Sequence, residues 1–140
     1  MQRIVIDTNV VVTALIQRGY PHLILENVLL KSQFQICILE ELLLEYDKVL
    51  ARPKFTKFPD FFLRAEALIA EIGARAVTYF STIKLNLISD NDDNMIFELA
   101  DECAADFIIT GNMNDFTFTN YKTTKIVSPK EFWDVYPSNS

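Results

Sequence analysis

The sequence predicts an α/β protein built on a parallel sheet of four to five strands with helices on both faces. Three observations carry that expectation. Ile4, Val5 and Ile6 are consecutive β-branched residues that stop at Asp7-Thr8-Asn9, the composition of a strand covered on both faces. Similar short apolar runs recur along the chain and alternate with amphipathic stretches of about ten residues or more, the order of βαβ units. Half of the 140 residues are hydrophobic and only three are glycine, so a single domain over residues 1–140 is expected, with no linker, repeat or low-complexity tract.

Taken in order, the apolar stretch Val10 to Ile16 predicts a helix close behind the Asp7 turn, interrupted near Gly19-Tyr20-Pro21. His22 to Lys31 repeats apolar residues at Leu23, Ile24, Val28 and Leu29 or Leu30, a helical spacing. Phe34 to Leu39 alternates and then runs apolar, giving the second strand. From Glu40 the pattern is helical again, with Leu42, Leu43, Tyr46, Val49 and Leu50 on one face. That helix ends before Pro53, since a residue ahead of proline resists the helical conformation. Pro59 to Ile72 predicts a further amphipathic helix, stopped at Gly73 by a left-handed cap. Ala76 to Phe80 reads as a short strand or extended arm, and Met95, Ile96, Leu99, Ala100 and Cys103 as a helix behind the acidic stretch 89–94. Phe107 to Thr110 reads as a further strand, and Lys125 to Val127 as another. Ser128 caps a last helix with Pro129 in its first turn.

Composition removes several function classes. The longest apolar runs fall far short of the ~20 residues that cross a bilayer. The amino terminus enters a strand directly, without the basic and apolar regions of a signal peptide, so a cytoplasmic protein without a membrane partner is expected. Cys37 and Cys103 each lie among apolar residues with no CxxC spacing and read as core hydrophobes, against a disulfide or soft-metal site. The one histidine, His22, has no nucleophile setting around it and cannot by itself assemble a triad. A net charge of −6 argues against gripping nucleic acid by overall field. It is compatible with carboxylates gathered around a divalent cation, which formal counting omits.

Acids fall where parallel topology would bring them together: Asp7 after the first strand, the cluster Asp90 to Asp93 at a helix start, and Asp115 in the loop after Ile108-Ile109. Glu45, on the helix after the second strand, could reach the same crevice. Converging carboxylates repel, which raises a pKa or recruits a hard cation with oxygen ligands; Mg²⁺ or Mn²⁺ is the natural choice. Such ions activate water and stabilise the departing oxygen in phosphodiester cleavage. Each acid also has a bland reading. Asp90 fits an N-cap, and Asp92 and Asp93 fit first-turn acids favoured by the helix dipole. Glu40, Glu41 and Glu45 fit a solvated helix face, and spacing does not choose among them. Asp115 fits a turn and Asp7 an Asx-type turn.

Basic and aromatic residues interleave in one segment, Arg52-Pro53-Lys54-Phe55-Thr56-Lys57-Phe58-Pro59. Arg52, Lys54, Lys57 and also Arg64 could position phosphates, with Phe55 and Phe58 offering faces to bases; the alternative is a solvated loop whose phenylalanines enter the core.

The order of these motifs resembles the PIN domain, in particular the bacterial VapC-like proteins described as toxins of toxin–antitoxin systems. The likeness rests on IDTNV from Ile6 to Val10, EYDKVLARPKF from Glu45 to Phe55, DNDDNMIFELA from Asp90 to Ala100, DFIITGN from Asp106 to Asn112, and IVSPKEF from Ile126 to Phe132. DTN alone is a weak signal, whereas all five in this order and spacing are a strong one. The resemblance implies a three-layer αβα sandwich and a metal-dependent endoribonuclease using Mg²⁺ or Mn²⁺. Its first metal-binding Asp falls on Asp7, supported by Thr8 and Asn9 in the same turn. Its helical Glu falls on Glu45, because the Val-Leu-x-Arg-Pro-Lys-Phe run that follows is matched by Val49 to Phe55. Its third acid falls on Asp93, with Asp90 auxiliary. Many relatives read TGD after the next strand, where this chain has Thr110-Gly111-Asn112. Others resemble T-x-N-x-x-D-F, matched by Thr110, Asn112, Asp115 and Phe116, which assigns the acidic role to Asp115 and an orienting one to Asn112.

The expected partners are therefore an RNA substrate, held by Arg52, Lys54 and Lys57, a cognate antitoxin, and a second copy of the chain in a homodimer. Two rival readings remain at this stage. One is a PIN-fold binding or regulatory module without turnover, motivated by Asn112. The other is a structure-specific DNA nuclease or phosphatase on the same acidic crevice.

Overall fold

Strand β1 (Gln2–Ile6) lies inside the sheet, and its β-branched residues Ile4, Val5 and Ile6 are buried completely or nearly so. The computed structural model describes residues 1–30, 33–80, 91–111 and 120–135, with the backbone alone at residues 30 and 91–93. Within them follow α1 (Thr8–Ile16), α2 (Tyr20–Leu30), β2 (Phe34–Leu39) and α3 (Glu40–Leu50). After a 3-10 turn (Pro53–Lys57) come α4 (Phe61–Arg75), β3 (Val77–Tyr79), α5 (Asn91–Cys103), β4 (Phe107–Ile109), β5 (Asn120–Tyr121), β6 (Thr124–Val127) and α6 (Pro129–Val135).

Among the described residues the sheet has six strands in the order β3-β2-β1-β4-β6-β5. β1 pairs in parallel with β2, up to Ile4 opposite Ile36, and with β4, up to Ile6 opposite Ile109. Five strands are parallel, as the sequence predicts, and the sixth, β5, runs antiparallel to β6. The β5–β6 hairpin turns through Lys122 and Thr123, with Lys122 at a φ of 54°. Neither residue is the Asn or Gly that usually marks such a turn, which is why the pattern of residues does not disclose it.

The chain steps outward from β1 to β2 and β3, then returns across β1 to β4. Right-handed crossovers therefore put the helices of the two directions on opposite faces. α5 packs on β1, β2, β3 and β4, whereas α1, α2, α3, α4 and α6 pack against one another on the other side. The result is a three-layer αβα sandwich. β1 and β4 straddle the point where the winding reverses, and their carboxyl ends open the crevice where such sheets carry ligands.

Helix boundaries follow local chemistry. α1 starts at Thr8, two residues earlier than the apolar pattern, because the Asp7 side chain caps it. Tyr20 and Pro21 lie inside α2, where a first-turn proline forfeits no helical hydrogen bond. Ser128 and Glu131 form a reciprocal capping box at α6, Ser128 Oγ accepting from Glu131 N and Glu131 Oε1 from Ser128 N. One expectation is overturned. Gly73 does not stop α4; the helix runs to Arg75, and Ala76 N donates to the Ile72 carbonyl to close it. An interior glycine costs only about 1 kcal/mol, and the burial of Ile72 outweighs it.

The left-handed cap falls elsewhere. Ala104, at a φ of 50°, ends α5 in a Schellman motif, with Ala105 N donating to the Ala100 carbonyl at 3.0 Å. A side chain in that region is strained. Cys37 and Cys103 are free and buried, as core hydrophobes. Cys37 Sγ donates to the Gln35 carbonyl at 3.9 Å and Cys103 Sγ to the Ala100 carbonyl at 4.0 Å; the mutual influence of the two thiols, ahead of burial, lowers the Cys37 pKa and raises that of Cys103.

Replacing the exposed Ala104 by glycine removes the left-handed strain at the α5 terminus. Ala104→Gly is expected to raise stability by about 0.5–1 kcal/mol, read as a higher urea midpoint at unchanged m-value.

Candidate active site

Asp7 extends β1 by one residue, its N–H donating to the Ile109 carbonyl at 2.9 Å. This bond continues the β1–β4 ladder and delivers the carboxylate to the reversal point. Asp7 is only 6% exposed, and an ionised carboxylate at that depth needs donors. Three are in place. Its Oδ1 accepts from Thr8 N at 2.8 Å, and its Oδ2 accepts from Thr110 Oγ1 at 2.7 Å and from Asn9 Nδ2 at 3.1 Å. The N-terminal end of α1 adds a favourable dipole.

Thr8 faces a second acid. Its hydroxyl donates to Glu45 Oε2, and Glu45 is half-buried on the middle of α3. One threonine thus contacts both acids, Asp7 through its backbone N–H and Glu45 through its hydroxyl. Glu40 and Glu41, in the first turn of α3, are exposed.

Asn9 joins the two strand ends from the other side. While Nδ2 donates to Asp7, Oδ1 accepts from Gly111 N at 3.0 Å. A Cβ at position 111 would stand 3.2 Å from that oxygen, so glycine permits the close approach. Thr110, fully buried, donates to Asp7 from the end of β4.

Asp93 lies in the first turn of α5, whose N-terminus is at the same sheet end because the helix runs back antiparallel to the strands. Its side chain, and Asp90, Asn112 and Asp115 entirely, are outside the described residues. Of the four acids proposed from sequence, Asp7 and Glu45 are therefore the pair whose side chains are described and brought together. Further along α5, Asn94 and Glu98 are buried polar residues that the sequence pattern does not single out.

Tyr46, expected only as a core residue of α3, has a polar task as well. Its hydroxyl donates to the Ile6 carbonyl, immediately before Asp7. Burial, reinforced by the negative charges of Asp7 and Glu45, pushes the Tyr46 pKa well above that of an ordinary phenol, so it stays a donor. The signal available in the sequence was a tyrosine where phenylalanine would fill the same core position, since a buried hydroxyl must find a partner.

The basic segment divides in two. Arg52, Lys54 and Lys57 are exposed, with Lys54 Nζ 5.3 Å from the Phe55 ring centre and Lys57 Nζ 5.4 Å from that of Phe58. Phe55 itself is buried and stacks on Phe61 at 4.5 Å, so it offers no face to a base; Phe58 is half-buried in the same aromatic group. Arg64 is also committed. Its Nη1 donates to the Leu15 carbonyl at 2.9 Å and caps the end of α1.

This sandwich is an α/β domain with acids held at the reversal point of its sheet, where such sheets carry ligands. The model of the PIN domain family matches residues 3–114, four-fifths of the sequence, and the chain belongs to that family. The match covers Asp7, Glu45, Asp90, Asp93 and Asn112 and ends one residue before Asp115. PIN domains are in general nucleases that act on nucleic acid and typically use divalent metals. No curated protein matches the chain. Among the described residues no helix is long and apolar enough to cross a membrane.

Thr110→Val keeps the volume at position 110 but removes a buried donor to the Asp7 carboxylate. The expected result is a stability loss of about 1.5–3 kcal/mol, measured by urea unfolding.

Proposed function

We propose that the chain is an endoribonuclease dependent on Mg²⁺ or Mn²⁺, with Asp7, Glu45, Asp93 and Asp115 as metal ligands and catalytic residues and Asp90 as an auxiliary. The observation that carries the reading is the threonine shared by Asp7 and Glu45, which holds two carboxylates from different elements side by side at the reversal point. Their donor set fits the ion. It consists of hard carboxylate oxygens, which favour Mg²⁺ or Mn²⁺ over softer metals, and Mg²⁺ needs only one or two carboxylates beside its waters. When bound, such a cation supplies water activation and charge stabilisation at the departing oxygen.

The chain's own residues do the rest. Thr8, Asn9 and Thr110 orient the two carboxylates, and Asn112 takes the orienting role that the motif assigns it. Glu45 is in the middle of α3, and Leu50 at its end is five residues on, roughly 7.5 Å at helical rise; Arg52, Lys54 and Lys57 lie beyond that end. Arg52, Lys54 and Lys57 accordingly hold the RNA backbone away from the scissile phosphate and influence binding more than chemistry. The likeness of motif order to the bacterial toxins supports a role as the toxin of a toxin–antitoxin pair, cytoplasmic, homodimeric and neutralised by an antitoxin encoded beside it.

Cleavage of single-stranded RNA in Mn²⁺ tests the proposal. Asp7→Asn is expected to lower kcat by more than about 100-fold, beyond what loss of an outer-shell partner costs. Undiminished cleavage by that variant would falsify the metal-site assignment, and preferential cleavage of DNA flaps would defeat the ribonuclease reading. Lys54→Ala with Lys57→Ala is expected to raise KM with kcat retained. It should also flatten the salt dependence of RNA binding by about 0.7 in log–log slope per lost phosphate contact.

A further inference from the structure

Two adjacent residues of α3 reach the end of β1. Glu45 meets the Thr8 hydroxyl, and Tyr46 meets the Ile6 carbonyl. The geometry of the sheet explains why that carbonyl needs a side chain. Backbone groups alternate in direction along a strand. The Asp7 N–H points to β4, where it bonds Ile109, so the Ile6 carbonyl points the other way, toward β2. There the β1–β2 pairing has already ended at Ile4 opposite Ile36, and β2 goes on to pair with β3 from Cys37 opposite Val77. The Tyr46 hydroxyl enters the gap from the helix layer and takes the position that a ladder donor would have held.

The bonded carbonyl belongs to the peptide whose nitrogen is that of Asp7. α3 therefore grips the chain on both sides of the acid, at Ile6 through Tyr46 and at Thr8 through Glu45. A phenylalanine at position 46 would supply the same packing and leave the peptide plane free to tilt. We propose that Tyr46 is a positioning residue: by locking the Ile6–Asp7 peptide to α3, its hydroxyl fixes the separation of the Asp7 and Glu45 carboxylates for a divalent cation. The inference rests on the proposed metal-binding role of those two acids.

Mn²⁺ affinity, measured by calorimetry on the intact chain without RNA, tests it. Tyr46→Phe is expected to bind Mn²⁺ about 10-fold more weakly, and replacement of Tyr46 by 4-aminophenylalanine, which restores a donor, to recover most of that loss. Phe132→Leu, in the aromatic contact of α6 with Phe34 and Phe107, lowers stability away from the site and is expected to leave the affinity unchanged. Wild-type affinity in Tyr46→Phe overturns the positioning role while leaving the metal site standing, provided Asp7→Asn abolishes binding. Absence of Mn²⁺ binding by the wild type overturns the metal site and this inference with it. Should Tyr46→Phe fail to fold, 4-methylphenylalanine at position 46 fills the hydroxyl's volume without donating. Wild-type affinity there, or failure of both variants to fold, assigns Tyr46 to folding alone.

Discussion

A carboxylate buried at the end of a central strand has to be met by donors, and the arrangement around Asp7 answers that requirement. Its three described donors come from two places, the first turn of α1 and the end of β4. They coincide only because Ile6 stands opposite Ile109 in the ladder. A slip of one residue would send the Thr110 side chain to the other face of the sheet and leave Asp7 short of a hydrogen bond. Register, helix cap and site are thus one constraint.

The second acid is reached by topology rather than by neighbourhood in sequence. Winding outward from β1 places α3 on the same layer as α1, and the Thr8–Glu45 contact follows. Winding back through α5 brings the first turn of that helix to the same sheet end from the opposite layer. Carboxylates contributed by separate elements repel, so the fold must hold them in place by hydrogen bonds. Thr8, Asn9 and Thr110 supply that hold without adding positive charge of their own.

Basic residues gather on one segment of the chain in spite of its overall acidic balance. Arg52, Lys54 and Lys57 sit on the 3-10 turn and just ahead of it, with Phe55 anchored in the core beneath them. Arg64 looks equivalent in sequence but is taken up by the α1 terminus. Basic residues on one short segment can serve as a local handle for a phosphate backbone even where the net charge is −6.

Patterns with a local cause were legible in the sequence. Ile4-Val5-Ile6 specified a buried strand, Pro53 limited α3, and Ser128 with Pro129 opened α6, because steric and capping preferences act within a few residues. β5 carries no local signal because its turn lacks the usual residues, and Gly73 does not end α4 because burial of the neighbouring turn overrides its intrinsic preference. The candidate acids were visible as types and motifs, yet spacing alone left Glu40, Glu41 and Glu45 equal. Only the tertiary structure put Thr8 between Asp7 and Glu45, turned the Tyr46 hydroxyl onto the Ile6 carbonyl and committed Arg64 to a helix end. Those contacts join residues 37 to 49 positions apart, and strand order and register, which no local preference encodes, decide them.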